Sequence, residues 1–219
     1  VDELQFEVSL HMKTLELFSG TESFSNVARK LGHETDTYEL NPTFNPDHRV
    51  DILELKGLPQ VDMLWASPPC EGFSVASMGA NWTGGERAYI PKGKSAFMSI
   101  ALAKKTIELI EQSKPTYWFI ENPRGLLRKM DWMEEFLRKN DGRRRTVTYC
   151  QYGDTRMKPT DIWTNCKTWV PKPQCSNGSS CHISAPRGSS TGTQGIKTYA
   201  DRSRIPEKLF IEIFNSLQN

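Results

Sequence analysis

Short apolar segments with the character of β-strands alternate along this chain with segments of helical periodicity. Strands that alternate with helices are typical of an α/β domain with a mainly parallel sheet, whose ligands bind at the carboxyl ends of the strands. Apolar spacing and the Gly and Pro boundaries predict each element. The predicted strands are residues 14–18, 35–40, 61–66, 117–121, 146–150 and 161–165, and the predicted helices are residues 22–31, 95–112, 130–139 and 206–217.

The composition indicates one folded domain and narrows the classes of function. The 219 residues, 37% hydrophobic and 25% charged, are enough to bury a core. No apolar run approaches the length of about eighteen residues that a membrane span needs, and no signal peptide is evident. A net charge of +2 argues against a strongly basic protein that coats nucleic acid. Five unevenly spaced cysteines fit a disulfide framework poorly and predict a reducing, cytoplasmic compartment.

Cys70 follows the third predicted strand, in the segment ASPPCEGFS. Two prolines fix the backbone before the thiol, and Gly72 permits a tight turn after it. A rigid turn at a strand end can present a nucleophile. A buried structural cysteine is the alternative.

Glu121 follows the apolar residues of the fourth predicted strand, in the segment FIENPRG. Burial beside its apolar neighbours would raise the pKa of its carboxyl, so that it could serve as a general acid near neutral pH. A role in capping the local turn is the alternative.

Glu39 lies at the end of the second predicted strand, where a carboxylate can accept hydrogen bonds from a ribose diol. The turn at Ser19 and Gly20 leads into a helix N-terminus, which suits the polar end of a ligand. A full GxGxxG is absent from the sequence, so a dinucleotide is not indicated.

Taken together, these segments resemble the DNA (cytosine-5)-methyltransferase family. LFSGTESFS resembles its FxGxG motif, SPPCEGFS its catalytic PCQxFS motif, and ENPRGLL its ENV motif, with Pro123 in place of Val. QYGDTRMKPTDIWTN resembles the late motif near the target base, with Lys158 at the first arginine and Thr160 at the second. The resemblance implies a Rossmann-like fold that uses S-adenosylmethionine, with a mainly parallel seven-stranded sheet and flanking helices.

The resemblance also implies roles for individual residues. Cys70 would attack cytosine C6, Glu121 would act at N3, Asn122 would support either of them, and Arg156 or Lys158 would take the place of the motif's first arginine. Residues 75–95 would form a mobile loop that closes over a flipped base. The implied S-adenosylmethionine-binding residues are Phe18, Ser19, Gly20, Thr21, Glu22, Ser23, Glu39, Leu40, Asp51, Ile52, Ser67 and Pro68, and the implied DNA contacts are Ser74, Arg87, Arg187 and Gln194. Within the loop, Trp82, Arg87, Lys92 and Lys94 could contact the DNA backbone or fill the emptied stack.

The chain divides into parts of different expected role. Residues 1–11 resemble a cloning remnant, residues 12–165 a catalytic domain, and residues 199–219 a closing helix that packs back on it. Residues 166–198 stand where the family has its larger target-recognition domain, which implies a small, phage-type member with a short target or a second chain that completes the surface. This insert has four potential zinc ligands in Cys166, Cys175, Cys181 and His182, with unligated thiols as the alternative.

The leading functional prediction is methyl transfer from S-adenosylmethionine to C5 of cytosine in double-stranded DNA, with the protein associated with DNA in the cytoplasm. The same chemistry on tRNA is one alternative. A catalytically silent DNA-binding or regulatory relative is another, because several motif positions differ from the family pattern. Cys70 and Glu121 argue against the silent alternative, since such a protein needs neither.

Overall fold

A seven-stranded sheet forms the centre of the fold in the computed structural model, which describes residues 11–85, 88–184, 196 and 198–218. The strands are β1 (Lys13–Leu17), β2 (Glu34–Glu39), β3 (His48–Arg49), β4 (Met63–Ala66), β5 (Trp82–Thr83), β6 (Ile90–Pro91), β7 (Tyr117–Pro123), β8 (Arg143–Thr148) and β9 (Pro159–Thr164). The helices are α1 (Ser23–Lys30), α2 (Met78–Asn81), α3 (Lys94–Ser113), α4 (Asp131–Lys139), α5 (Tyr199–Ser203) and α6 (Glu207–Ser216).

The strands of the large sheet lie in the order β3-β2-β1-β4-β7-β9-β8. β1 pairs in parallel with β2 and β4, and β4 pairs in parallel with β7. Within the seven described strands of this sheet, β9 alone runs in the opposite direction, antiparallel to both β7 and β8. The predicted α/β class with a mainly parallel seven-stranded sheet is therefore confirmed.

Most predicted bounds shift by no more than two residues, but two segments differ further from the structure. The strand predicted over 146–150 runs from Arg143 to Thr148, and Tyr149 opens a short 3-10 helix that ends at Tyr152. The segment predicted as a loop over 75–95 contains the short helix α2 and the hairpin of β5 and β6. Apolar alternation could not show either feature, because both depend on contacts with the rest of the domain.

The sheet is covered on both faces, as β4 shows. Met63 and Trp65 belong to one apolar cluster, whereas Leu64 and Ala66 belong to the other. All four side chains are buried, which follows from the alternation of side chains across a strand that has helices on both sides.

The closing helix α6 packs against α1 on one face of the sheet. Phe24 of α1 lies with its ring centroid 5.6 Å from those of both Phe210 and Phe214. The indole of Trp65 completes this aromatic group at 4.8 Å from Phe210. The C-terminal helix thus shares the core of the sheet. No helix within the described ranges has the length and apolar character to cross a membrane.

Glu16 lies near the end of β1 and is almost completely buried. Its carboxylate accepts hydrogen bonds from the backbone N–H groups of Phe24 and Ser25 at 3.3 and 2.9 Å, in the first turn of α1. Burial raises the pKa of Glu16 from 4.5 to about 7, despite these hydrogen bonds. The native state therefore holds a proton that the unfolded chain releases at lower pH.

Replacing Glu16 with Gln is expected to stabilise the protein at pH 8 and to leave it nearly unchanged at pH 4.5. Because the native pKa lies above the unfolded value, ionisation of Glu16 costs stability as pH rises from 4.5 to 7, by about 3 kcal/mol in total. Urea unfolding at several pH values measures the effect, with the exposed Glu54→Gln as the matched control. Parallel pH curves for the original protein and Glu16→Gln would contradict the argument.

Candidate active site

The parallel register brings four strand ends to one edge of the sheet. Leu17, the last residue of β1, is paired with Tyr38 of β2 and with Ala66 of β4. Ala66 is in turn paired with Ile120 of β7. The motif residues that follow these positions in the sequence are therefore neighbours in space.

The loop that carries Cys70 is held at both ends. Asn122 donates a hydrogen bond from Nδ2 to the carbonyl of Pro68 at 2.8 Å. Beyond the thiol, the N–H of Gly72 donates to Ser99 Oγ of α3 at 3.1 Å, and Trp82 Nε1 donates to the Gly72 carbonyl at 2.5 Å. These contacts give the thiol a defined place at the sheet edge. Trp82, which the sequence places among the candidate DNA contacts, is buried beneath this loop.

Gly72 sits where no side chain fits. A β-carbon built there would lie 2.7 Å from Ser99 Oγ and 2.8 Å from the α-carbon of Ala96, and closer still to the Ser95 carbonyl. The loop can approach the N-terminal turns of α3 only because residue 72 has no side chain. Close packing, rather than an unusual backbone angle, explains glycine at this position.

Glu121 is buried towards the end of β7, beside the Cys70 loop. Its Oε1 accepts a hydrogen bond from the hydroxyl of Tyr149 at 2.9 Å, and Ser67 is a further hydrogen-bond partner. Burial raises the pKa of the Glu121 carboxyl, and the nearby Lys158 ammonium opposes that rise. The carboxyl thus keeps its proton to a higher pH than an exposed glutamic acid does.

Lys158 and Arg156 are both candidates for the position of the late motif's first arginine. Their environments differ. The Arg156 guanidinium is buried, pairs with Asp154 and donates to the carbonyls of Asp201, Arg202 and Arg204. Its donors are therefore directed to the C-terminal segment. The geometry does not support Arg156 at the base site.

The Lys158 ammonium lies 4.9 Å from the centre of the Tyr149 ring and interacts electrostatically with both Glu121 and Cys70. Burial lowers the pKa of Lys158, whereas Glu121 raises it. The backbone of Lys158 has φ 27°, a conformation rare for a residue with a side chain. The surrounding structure therefore holds this cation in place at an unusual backbone geometry.

Burial raises the pKa of the Cys70 thiol, and the negative charge of Glu121 raises it further. The Lys158 cation opposes both effects. Protonated Glu121 together with charged Lys158 is the combination that favours a Cys70 thiolate.

The turn after β1 has the features of a ligand cradle. Phe18, Gly20 and Glu22 all have positive φ angles, of 57°, 46° and 53°. The hydroxyl of Ser19 is buried without a hydrogen-bond partner, among the residues the structure describes. Glu39 accepts from the N–H of Gly20 at 3.2 Å. A buried hydroxyl without a partner and an adjacent carboxylate suit a ligand with both acceptors and hydroxyl donors.

The remaining predicted cofactor-binding residues differ in their exposure and contacts. Leu40 is 57% exposed next to Glu39, which leaves an apolar surface open. Asp51 caps a short 3-10 helix by accepting from the N–H of Leu53, and Ile52 is buried in the core. The Glu22 carboxylate is paired with Arg29 on α1. Thr21 and Ser23 share a hydrogen bond between their hydroxyls at 3.1 Å.

The predicted DNA contacts are only partly covered by the structure. Ser74 is partly exposed, and its Oγ accepts from the N–H of Ala76 at 3.3 Å. Arg87, Arg187 and Gln194 lie outside the described residues.

The predicted zinc ligands are wrong at one position. Cys166 is fully buried in one of the two apolar clusters that cover the sheet, and its N–H donates to Thr164 Oγ1. The other three predicted ligands lie next to Cys150 instead. Cys150 stands at the end of a predicted strand, so nothing local indicated its place in the cluster.

Two further residues of the site were not anticipated. Tyr149 holds Glu121 from the start of the 3-10 helix, and Ser99 fixes the Cys70 loop from α3. Both act through strand pairing or helix packing across the chain, which no sequence motif displays.

Residues 12–139, more than half of the chain, match the family model of the C-5 cytosine-specific DNA methylases. The chain therefore belongs to this family. It is 29% identical to a "Probable DNA (cytosine-5)-methyltransferase" of Frog virus 3 (isolate Goorha), over 93% of this chain and 99% of the relative.

Solved structures confirm the Rossmann-like methyltransferase fold. A prophage-encoded protein of E. coli described as a DNA modification methyltransferase has a TM-score of 0.53 at 16% identity, covering 74% of this chain and 51% of that one. A methyltransferase of Entamoeba histolytica has a TM-score of 0.50 at 15% identity, covering 76% and 57%. The chain spans about half the length of these solved structures.

Replacing Gly72 with Ala is expected to abolish most activity while the protein stays folded. The added methyl group would collide with the backbone of α3 and displace the loop that carries the thiol. Methyl-transfer rates and circular dichroism measure the two effects, with Gly79→Ala as the control because a β-carbon there meets nothing. Equal activity of both variants would refute the argument.

Proposed function

We propose that this protein transfers a methyl group from S-adenosylmethionine to C5 of a flipped-out cytosine in double-stranded DNA, through a covalent bond between Cys70 and C6. The observation that carries the proposal is the meeting of Cys70, Glu121 and Lys158 at one sheet edge. The proposal rests also on membership of the C-5 cytosine-specific family and on the name of the viral relative.

Cys70 is the nucleophile in this proposal. Its thiolate adds to C6 of cytosine, which makes C5 electron-rich enough to accept a methyl group. The Lys158 cation favours the thiolate over the thiol. Asn122 acts as a positioning residue, because it holds the Pro68 carbonyl and so the backbone that leads to the thiol.

Glu121 is the acid in this proposal. The attack at C6 places negative charge on the ring, which a proton or hydrogen bond at N3 stabilises. A carboxyl with a raised pKa holds the required proton to a higher pH than an ordinary glutamic acid. Tyr149 donates to Oε1 of the same carboxyl, which fixes its orientation.

The cradle after β1 fits the cofactor. Glu39 would accept hydrogen bonds from the ribose hydroxyls, the turn at residues 19–21 would face its polar end, and Leu40 would cover the adenine. When bound, S-adenosylmethionine supplies an electrophilic methyl group. Loss of the C5 proton to water then expels Cys70 from C6 as the thiolate, and the proton on N3 returns to Glu121.

The base has to leave the DNA stack, because C6 of a paired cytosine is inaccessible to a thiol. Ser74, Arg87, Arg187 and Gln194 would contact the opened duplex. The groups assigned to the chemistry all come from this chain.

Incubating the protein with double-stranded DNA of mixed sequence and S-adenosylmethionine is expected to produce 5-methylcytosine, detected by mass spectrometry of the nucleosides. Cys70→Ala is expected to produce none while still binding the cofactor, because the C6 adduct cannot form. Cys166→Ala, which removes a core thiol outside the site, serves as the matched control.

A parallel reaction with transcribed tRNA distinguishes between DNA and tRNA as the substrate. Product on tRNA alone would overturn the DNA assignment and keep the chemistry. Product from Cys70→Ala would overturn the covalent mechanism.

Replacing Lys158 with Met is expected to lower kcat by roughly 10²-fold at neutral pH and to move the rising limb of the pH profile to higher pH. The cation lowers the pKa of Cys70, so its loss leaves less thiolate at a given pH. Lys158→Arg keeps the charge and should restore most of the profile. If kcat of Lys158→Met falls but the rising limb of its pH profile does not shift, Lys158 has a role other than thiolate stabilisation.

A further inference from the structure

A cluster of three cysteines and one histidine lies outside the groups assigned to methyl transfer. The thiols of Cys150, Cys175 and Cys181 and a ring nitrogen of His182 all lie within 4.8 Å of one another. We propose that these four side chains bind one zinc ion, which fastens residues 166–184 to the body of the domain.

The distances between the ligand atoms lie close to those of tetrahedral zinc. The Cys175 and Cys181 sulfurs are 3.1 Å apart, and His182 Nδ1 lies 3.4 Å from Cys175 Sγ and 3.7 Å from Cys181 Sγ. Zinc–sulfur bonds of about 2.3 Å and zinc–nitrogen bonds of about 2.0 Å place tetrahedral ligand atoms about 3.5–3.8 Å apart. Small adjustments of the side chains would therefore close the site around an ion.

The adjacent residues Cys181 and His182 can both reach one ion because His182 would bind it through Nδ1. Nδ1 is the ring nitrogen nearer the backbone, and it is the one that faces Cys181 Sγ. The short reach of Nδ1 suits a ligand whose neighbour in sequence is also a ligand. Adjacency in the sequence is therefore compatible with a shared ion.

The choice of ligands points to zinc rather than to a hard cation. Three thiolates and one imidazole form a Cys₃His set, which is typical of structural zinc and unsuited to magnesium or calcium. A disulfide between Cys175 and Cys181 is the competing explanation for their closeness. That bond would leave the placement of Cys150 and His182 unexplained.

The backbone around the cluster is tied to the domain on both sides of the ligands. The N–H of Cys175 donates to Thr148 Oγ1 at 2.9 Å, and the N–H of Ile183 donates to the Thr155 carbonyl at 2.8 Å. Between the two cysteines, Gly178 turns the chain with φ 86°. The ligands therefore project from a loop that is already folded back towards Cys150.

Residues 166–184 need such a link to the domain, because they contribute few buried apolar side chains. Trp169 is buried against the sheet, but Val170 and Ile183 are largely exposed. The described residues from 166 to 184 form neither a helix nor a strand. A metal ion is a common means of holding a segment too small to have its own core.

The ion would also support the active-site edge. Cys150 directly follows Tyr149, whose hydroxyl donates to Glu121 at 2.9 Å. The N–H of Tyr149 donates at 2.8 Å to the carbonyl of Met157, the residue before Lys158. A zinc ion on Cys150 would therefore restrain the 3-10 helix from which Tyr149 reaches the carboxyl.

The test is metal analysis of the full chain, expressed with zinc in the medium, purified under reducing conditions and desalted. One zinc ion per chain is expected for the original protein and for Cys166→Ala. Cys150→Ser and His182→Ala are expected to lose most of the metal. A chelator should lower the Tm of the original protein, and added zinc should restore it.

Cobalt provides a second measurement that does not depend on the folding of any variant. Titration of the metal-free original protein with Co²⁺ is expected to give the thiolate-to-cobalt absorption of a Cys₃His site, which Zn²⁺ then abolishes. S-adenosylmethionine binding and DNA methylation are measured separately, so failure of the metal site leaves the methyl-transfer proposal standing.

Three results would overturn the zinc proposal. The first is the absence of both bound zinc and the cobalt–thiolate band in the original protein. The second is equal zinc content in Cys150→Ser and Cys166→Ala. The third is a purified protein that lacks two hydrogens by intact mass and yields a linked Cys175–Cys181 peptide.

Discussion

The parallel hydrogen-bonded register of β1, β4 and β7 is the constraint on which the site depends. It aligns Leu17, Ala66 and Ile120 across the sheet, so the residues that follow them emerge together. A slip of one residue would turn every side chain of a strand to the opposite face. The burial of β4 on both faces makes such a slip costly, and the packing of the core thereby sets the positions of the chemical groups.

Desolvation and charge act against each other at this edge. Burial favours the neutral forms of Glu121, Cys70 and Lys158, whereas the attraction between Lys158 and Cys70 favours the charged cation and thiolate. A protonated acid, a cation and a nucleophile can therefore coexist within one small site. That combination suits the proposed reaction, in which the cytosine ring is attacked at C6 and protonated at N3.

The C-terminal part of the chain is bound to this site by polar contacts as well as by apolar packing. Arg156 donates to the carbonyls of Asp201, Arg202 and Arg204, which lie towards the end of α5 and just after it. Lys158 also donates to the Arg202 carbonyl, at 3.2 Å. The late motif thus serves two purposes, because Arg156 holds the C-terminal segment while Lys158 lies close enough to influence the thiol.

The alternation of strands and helices and the motifs at strand ends predicted the α/β sheet, the Cys70 loop and Glu121, because these features are local and periodic. The different contacts of Arg156 and Lys158, the partner Tyr149 and the place of Cys150 came only from the tertiary structure. Each depends on which distant segments pack together, and Cys166 shows the consequence. It is one of the four predicted zinc ligands, but the folded chain buries its thiol in the core.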